Sequence, residues 1–308
     1  MAEHVIAIFG PTASGKSAVA EELARRIPAE LVSADSMQVY RGLPILTNQS
    51  PARLVGIWDL DHDASVGEYQ ELAHRTINEI LAAGRTPIVV GGTGLYLRAA
   101  LSELELPPAP EPGARERLER LYDELGAEQA HELLAEQDPA AAASVHPNDR
   151  RRVVRALELA EAGSSLKPET DRLWAAETRH PTLIVGLELT REVLGKRIEE
   201  RAREMFERGV EDEVRRALAG PVSRTASHVH GLREIADLPP GEAYEALVTR
   251  TRRYAVYQLR WMRRIPGVVS LNAERDPGDL ADEILEMARS RQRLPARGAG
   301  GAERSADA

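Results

Sequence analysis

Residues 10–17, Gly-Pro-Thr-Ala-Ser-Gly-Lys-Ser, constrain this chain more than any other stretch. They follow the apolar run Val5-Ile6-Ala7-Ile8-Phe9 and precede a segment in which Val19, Leu23 and Ile27 recur every fourth residue until Pro28. A short apolar run reads as a buried strand, a recurrence near the helical period reads as an amphipathic helix, and Gly-Pro punctuates the junction. Strand, Gly-rich turn and helix in this order make a phosphate loop. Phosphate oxygens need several convergent backbone N–H groups, only a glycine-rich backbone lets them approach, and the helix N-terminus adds partial positive charge. Gly10, Pro11, Thr12, Ala13, Ser14, Gly15, Lys16 and Ser17 are therefore the expected diphosphate-binding residues. Lys16 supplies the mobile charge and the Ser17 hydroxyl is suited to Mg2+. Lysine occurs elsewhere only at Lys167 and Lys196, so Lys16 is not drawn from a lysine-rich background.

The same reading carried along the chain predicts strands at 31–34, 86–90, 182–189 and 268–271, with helices between them. Strands alternating with helices imply an α/β fold, a P-loop NTPase-like parallel sheet flanked by helices. The texture changes at Pro107, Pro108, Pro110 and Pro112, which read as a stiff linker. Helical patterns at 114–136, 149–162 and 167–177 follow without a strand. The expected organisation is a catalytic core of 1–106 and 179–291, a helical insertion of 107–178, and a disordered tail of 292–308. Helices are also expected at 191–208, 210–219, 241–264 and 276–291.

With 43% hydrophobic residues in 308, the chain has enough apolar material for a large core. No apolar run approaches the ~20 residues needed to cross a bilayer. The start shows no basic, long apolar and small-residue sequence of an export signal. The absence of cysteine excludes disulfides, thiolate zinc sites and cysteine nucleophiles. The expectation is a cytoplasmic, monomeric protein without membrane contact. A net charge of −9 requires any nucleic-acid-binding surface to be local.

A phosphate loop alone points first to a nucleoside triphosphate. A hydrolase of that kind usually holds Mg2+ with an Asp at the end of a second buried strand. Here Ile88-Val89-Val90 runs into Gly91-Gly92-Thr93-Gly94 with no acid, and no guanine-reading Asn-Lys-x-Asp exists. The acid at a strand end is Asp35. In a parallel sheet it shares one edge with the loop, where it can serve as metal partner or base; a helix N-cap is the competing reading.

Three blocks then resemble the tRNA dimethylallyltransferases in order and spacing: Gly-Pro-Thr-Ala-Ser-Gly-Lys-Ser, Asp-Ser-Met-Gln-Val-Tyr at 35–40, and Gly-Gly-Thr-Gly-Leu-Tyr at 91–96. Further echoes are Ser-Val-Gly-Glu-Tyr at 65–69, His-Pro-Asn-Asp at 146–149 running through Arg152 and Arg155, Arg-Gly-Val-Glu-Asp-Glu-Val at 208–214, and Gln-Leu-Arg-Trp at 258–261. The resemblance implies Mg2+-dependent transfer of dimethylallyl from dimethylallyl diphosphate to N6 of adenosine 37. The tRNAs would be those reading codons that begin with U, gripped at the anticodon stem-loop, with the insertion contacting tRNA. Asp35, Lys16 and Arg224 are the implied catalytic residues. Thr12, Ser14, Ser36, Gln38, Tyr40, Thr93, Gly94, Arg152, Arg155, Arg253 and Gln258 are the implied substrate- and tRNA-binding residues, with Ser17 on the metal.

Two segments depart from the family pattern. Gln49 stands where Lys is usual, and Val-His-Gly-Leu-Arg-Glu at 229–234 replaces Ala-Ile-Gly-Tyr-Lys-Glu. The arginine clusters at 150–155 and 250–264, the latter interleaved with Tyr254, Tyr257 and Trp261, suit phosphate neutralisation and base stacking. A solvated helix face is the plainer explanation for either cluster alone, and Arg152 and Arg155 are equally placed to pair with Asp149 or Glu158. Two alternatives share the loop: an adenylate isopentenyltransferase acting on free nucleotide, and a small-molecule P-loop kinase.

Overall fold

The computed structural model describes residues 4–106, 111, 113–167 and 172–293. The proline linker at 107–112, apart from residue 111, and the tail beyond 293 lie outside the described residues. Two compact units emerge, one running up to Ser102 and resuming at Ala176, the other spanning Glu103–Ala175.

The first unit is built on a five-stranded sheet of β1 (Val5–Phe9), β2 (Ala29–Ser33), β3 (Thr86–Gly91), β4 (Thr182–Glu188) and β5 (Val269–Asn272). The order is β2-β3-β1-β4-β5 with every pairing parallel, as the alternation of strands and helices implied. β1 is buried at every residue, which is why its sequence is a continuous apolar run rather than an alternation. α1 (Lys16–Arg26) turns its Val19, Ala20 and Leu23 face onto the sheet. α2 (Val66–Ala82) starts in a capping box: Ser65 Oγ accepts from the Glu68 amide, and Glu68 Oε2 accepts from the Ser65 amide at 3.1 Å. The Ser-Val-Gly-Glu-Tyr block is therefore a helix start, and its Tyr69 hydroxyl donates to the Ser33 carbonyl at the end of β2. α3 (Gly94–Leu101) follows β3 directly.

The second unit is helical. A single helix is expected over 114–136, but Gly126 (φ 80, ψ 166) breaks it into α4 (Ala114–Leu125) and α5 (Ala127–Gln137). The short α6 (Pro139–Ala142) leads to α7 (Arg150–Glu161). Leu118, Tyr122, Leu134, Val153 and Leu157 form its core. The helix expected at 167–177 is absent where described, and only a single 3-10 turn occurs at Arg172–Trp174.

The first unit resumes with α8 (Arg191–Glu207), α9 (Val210–Ala217), α10 (Leu232–Asp237), α11 (Pro240–Met262) and, after β5, α12 (Pro277–Arg293). No helix among the described residues is long and apolar enough to cross a membrane. β1 and β3 lie side by side, with β2 beyond β3. The loops after these strands therefore emerge along one sheet edge, carrying residues 10–17, Asp35 and residues 91–94.

Candidate active site

The phosphate loop bends through two left-handed residues, Ala13 (φ 62) and Gly15 (φ 88). Gly15 is the N-cap of α1, which has neither a side-chain cap nor an acid in its first turn. The amides that begin α1 are thus left for an external anion. Lys16 Nζ donates to the Pro11 carbonyl at 3.3 Å. Burial of its ammonium lowers the Lys16 pKa to about 8; the charge of Asp35 opposes that fall and Arg201 reinforces it.

Arg201, on α8, donates from Nη1 to Thr12 Oγ1 at 2.6 Å, and its Nε is buried with no hydrogen-bond partner. Desolvation lowers its pKa as well, with Asp35 and Glu204 acting in the opposite sense. A buried guanidinium nitrogen without a partner, beside a desolvated ammonium, is the signature of a site built for an anion. The sequence did contain a signal for it. Leu194, Ile198 and Met205 form a buried stripe at helical spacing, and Arg201 falls on that stripe, four residues before Met205. Next to it, Arg197 reaches the Ser14 carbonyl at 3.5 Å and the Ala273 carbonyl at 3.4 Å, tying the loop to the segment after β5.

Asp35 lines the same cleft. Its Oδ1 accepts from the Met37 amide at 3.0 Å, so the carboxylate is oriented by its own turn. The chain can pass there because Gly91 has no side chain: a Cβ at that position would overlap the Ala34 backbone. Cβ atoms at Gly92 and Gly94 would likewise overlap Gln258 and the Trp261 ring. The Gly-Gly-Thr-Gly block is a packing device that brings β2, β3 and α11 together.

Gln258 is 2% exposed, accepts from the Thr12 amide at 2.8 Å and donates to the Gly92 carbonyl at 2.9 Å. It braces the loop, and both ends of its amide are engaged, whereas the sequence suggested a substrate contact. Tyr40 is a second correction of this kind. At 2% exposure, it does not line the cleft, and its hydroxyl is bonded to Thr225 Oγ1 at 2.7 Å. Ser14 is buried within the loop with no hydrogen-bond partner for its Oγ, and Gly94 is buried against Trp261. Gln38 lines the cleft, but its amide is bonded to Ser33 Oγ and to the Thr47 and Asn48 carbonyls. Thr93 Oγ1 sits among Ser36 and the Tyr254 hydroxyl.

Arg224 lies outside the cleft, exposed, with Asp63 as its charged neighbour at 3.7 Å. The arginine that reaches the phosphate loop is Arg201, because α8 passes beside the loop and the segment carrying Arg224 does not line the cleft. Arg155 pairs with Glu158 at 3.0 Å, and Arg115 shares the same buried carboxylate. Arg152 is exposed, and Arg253 is exposed on α11. Gln49, at the position where the family has Lys, donates to the Tyr40 carbonyl at 2.7 Å and holds the loop that lines the cleft.

The cleft and the solvent space at its mouth together amount to about 920 Å³. Thr12, Lys16, Ser17, Asp35 and Arg201 make it polar, and Leu46, Ile198, Ala202, Met205 and Leu247 make it apolar. His230 also lines it, edge-on to Tyr254; burial, reinforced by the charge of Arg250, pushes its pKa down to about 4. No cluster of three or more His, Asp or Glu able to hold a metal occurs among the described residues.

This arrangement defines a P-loop α/β protein whose loop and Arg201 form an anion cradle, opposite a carboxylate and beside an apolar wall. The family model described as IPP transferase matches residues 38–265, and a second, described as Isopentenyl transferase, matches residues 3–51. The chain belongs to the IPP transferase family. It is similar to the tRNA dimethylallyltransferase of Streptomyces griseus, 41% identical over 93% of this chain and 96% of the relative. With that of Streptomyces coelicolor it shares 42% identity over 87% and 89%. Among solved structures it is similar to the tRNA isopentenylpyrophosphate transferase of Bacillus halodurans, with TM-score 0.65, 32% identity, and 94% and 100% of the two chains covered. A eukaryotic dimethylallyltransferase acting on tRNA matches with TM-score 0.79, 25% identity, and 96% and 81% covered.

Proposed function

We propose that this chain transfers a dimethylallyl group from dimethylallyl diphosphate to N6 of adenosine 37 in tRNAs reading codons that begin with U, releasing diphosphate. The carrying observation is the pairing of Lys16 with a partnerless Arg201 nitrogen at the phosphate loop, with Asp35 in the same cleft. The bond from the allylic carbon to the diphosphate oxygen breaks, and its electron pair leaves with the diphosphate. Stabilising that departing anion is the main catalytic demand, and Lys16, Arg201 and the uncapped amides that begin α1 would meet it. The N6 nitrogen forms the new bond to the allylic carbon and gives its proton to Asp35, the general base. Leu46, Ile198, Ala202, Met205 and Leu247 offer the apolar side on which a five-carbon tail is sheltered from water.

The Ser17 hydroxyl gives a hard oxygen donor that suits Mg2+, an ion that binds through one or two protein oxygens plus substrate phosphates rather than a full protein cage. When bound, it would neutralise diphosphate charge. The adenine must leave its stack to reach Asp35, which costs least in an unpaired loop such as that of an anticodon stem. The helical insertion is proposed as a tRNA contact, and the active form as a cytoplasmic monomer.

The test is transfer of labelled dimethylallyl from its diphosphate by purified protein in Mg2+ without ATP, with unmodified tRNA and AMP side by side. Label in tRNA alone is the expected result. Label in AMP alone would favour the free-nucleotide enzyme, and ATP turnover without transfer would favour a kinase.

A further inference from the structure

Glu213 is 2% exposed and does not line the cleft, yet it holds one wall of it. It lies on the buried face of α9 with Val210 and Val214, where a third apolar residue would be the simplest choice. Burying a carboxylate is unfavourable unless its oxygens are hydrogen-bonded. Here they are. The Ile45 amide donates to Oε2 at 2.8 Å and to Oε1 at 3.1 Å, and the Leu46 amide donates to Oε1 at 2.8 Å.

Those amides open a single helical turn. The Thr47 amide and hydroxyl both return to the Leu43 carbonyl, and the Gln49 amide returns to that of Pro44. The first N–H groups of such a turn have no partner within it, so Glu213 caps it from another element. The turn carries Leu46 and Thr47 into the cleft. Leu46 also presses on Gly231, where a Cβ would fall 2.7 Å from Leu46 Cδ1 and 2.8 Å from Leu247 Cδ1. Gly231 sits at φ +91, so the wall cannot yield on that side by substitution or easy rotation.

We infer that Glu213 is a positioning residue that sets the depth of the apolar wall, and so restricts the donor to a short allylic tail. This rests on the proposed prenyl transfer. Loss of one acceptor would leave a buried N–H unsatisfied and let Leu46 retreat, loosening the grip on the short donor and admitting a longer one.

Glu213→Gln keeps the volume but replaces one acceptor with a donor. Steady-state transfer to tRNA is measured with dimethylallyl diphosphate and with the ten-carbon geranyl diphosphate. The expected result is a KM for the short donor raised about tenfold, kcat little changed, and relative use of the long donor increased. Leu46→Ala, which enlarges the wall with Glu213 intact, should also admit the longer donor. If Leu46→Ala shifts selectivity and Glu213→Gln does not, the inference is overturned; if neither shifts it, the wall itself is misplaced. Absence of transfer by the wild type would instead sink the prenyl-transfer reading, and this inference with it. Hydrogen exchange on the wild type tests the tie without any variant: the Ile45 and Leu46 amides should be protected, and fast exchange at both would overturn it.

Discussion

Lys16 and Arg201 at the phosphate loop and the arginines of α11 are both concentrations of positive charge, but their surroundings differ. At the loop, burial lowers the pKa of both cations, the charge of Arg201 lowers that of Lys16 further, and the Nε of Arg201 is orphaned. On α11, Arg250 is paired with Glu234 and Arg252 with Glu199. A cation already paired inside the protein contributes to the fold. One left unpaired in a desolvated pocket destabilises the empty fold and is relieved when an anion binds. Position in a basic run therefore says less about function than whether a carboxylate from another element has arrived.

The contrast is broken most severely by comparing Arg201→Ala with Arg252→Ala. Removing Arg201 should lower kcat by about 10²–10³-fold, the range for losing one preorganised donor to a developing anion. The empty protein should melt little lower, because removing the buried cation relieves its desolvation and offsets the lost hydrogen bond to Thr12. Arg252→Ala removes an exposed pair worth about 1 kcal/mol or less and should leave kcat near wild type. Equal losses of activity in the two variants, measured in the transfer assay, would erase the distinction.

A smaller effect follows from the depressed pKa of Lys16. The folded, empty protein releases this proton near pH 8 whereas the unfolded chain holds it to its ordinary value of 10.5. Between those limits the unfolded state binds more protons, so this group's contribution to the stability of the empty protein rises with pH; below pH 8 the cost of burying the cation is fully present. Binding a diphosphate requires the charged form. Affinity for an unreactive alkyl diphosphate should therefore fall about fivefold between pH 8 and pH 9, with proton uptake visible in calorimetry. Lys16→Arg should flatten the profile. A flat wild-type profile would mean that Lys16 remains charged in the empty cleft.

Much of the first region was legible because it is local. The strand, loop and helix around Lys16 are contiguous, and Asp35 stands at the end of the next strand. The partners of Tyr40 and Gln258 are not legible in the sequence for the opposite reason. Those partners, Thr225 and the amide of Thr12, lie 185 and 246 residues away, and nothing near either residue says that its polar atoms are engaged. Arg201 was overlooked because its role depends on helix phase: only with Leu194, Ile198 and Met205 placed on one face does the arginine point inward. The external cap that Glu213 gives to residues 45 and 46 has the same character: it is decided by what packs against the segment, not by the segment itself.

The mildest test concerns the part of α11 that remains unpaired. Arg253 and Arg260 make no ion pair among the described residues and share a helix face, at helical spacing, with Val256 and Tyr257, which are 48% and 52% exposed. Tyr257 is stacked at 6.2 Å on Tyr254, which lines the cleft, so this face continues from the site. An exposed aromatic flanked by free guanidinium groups suits an unpaired nucleic-acid segment, with stacking on the ring and phosphates on the arginines. Replacing Arg253 and Arg260 together by Ala should reduce the slope of log K against log salt for tRNA by about 1.5, with kcat at saturating tRNA retained. Arg250→Ala should behave differently. Its partner Glu234 also accepts from the Gly231 amide at 3.1 Å, so losing Arg250 disturbs the cleft wall and raises the KM for the donor instead of changing the salt slope. If Arg250→Ala and the Arg253, Arg260 pair gave the same salt response, the division of α11 into internal and external arginines would have to be abandoned.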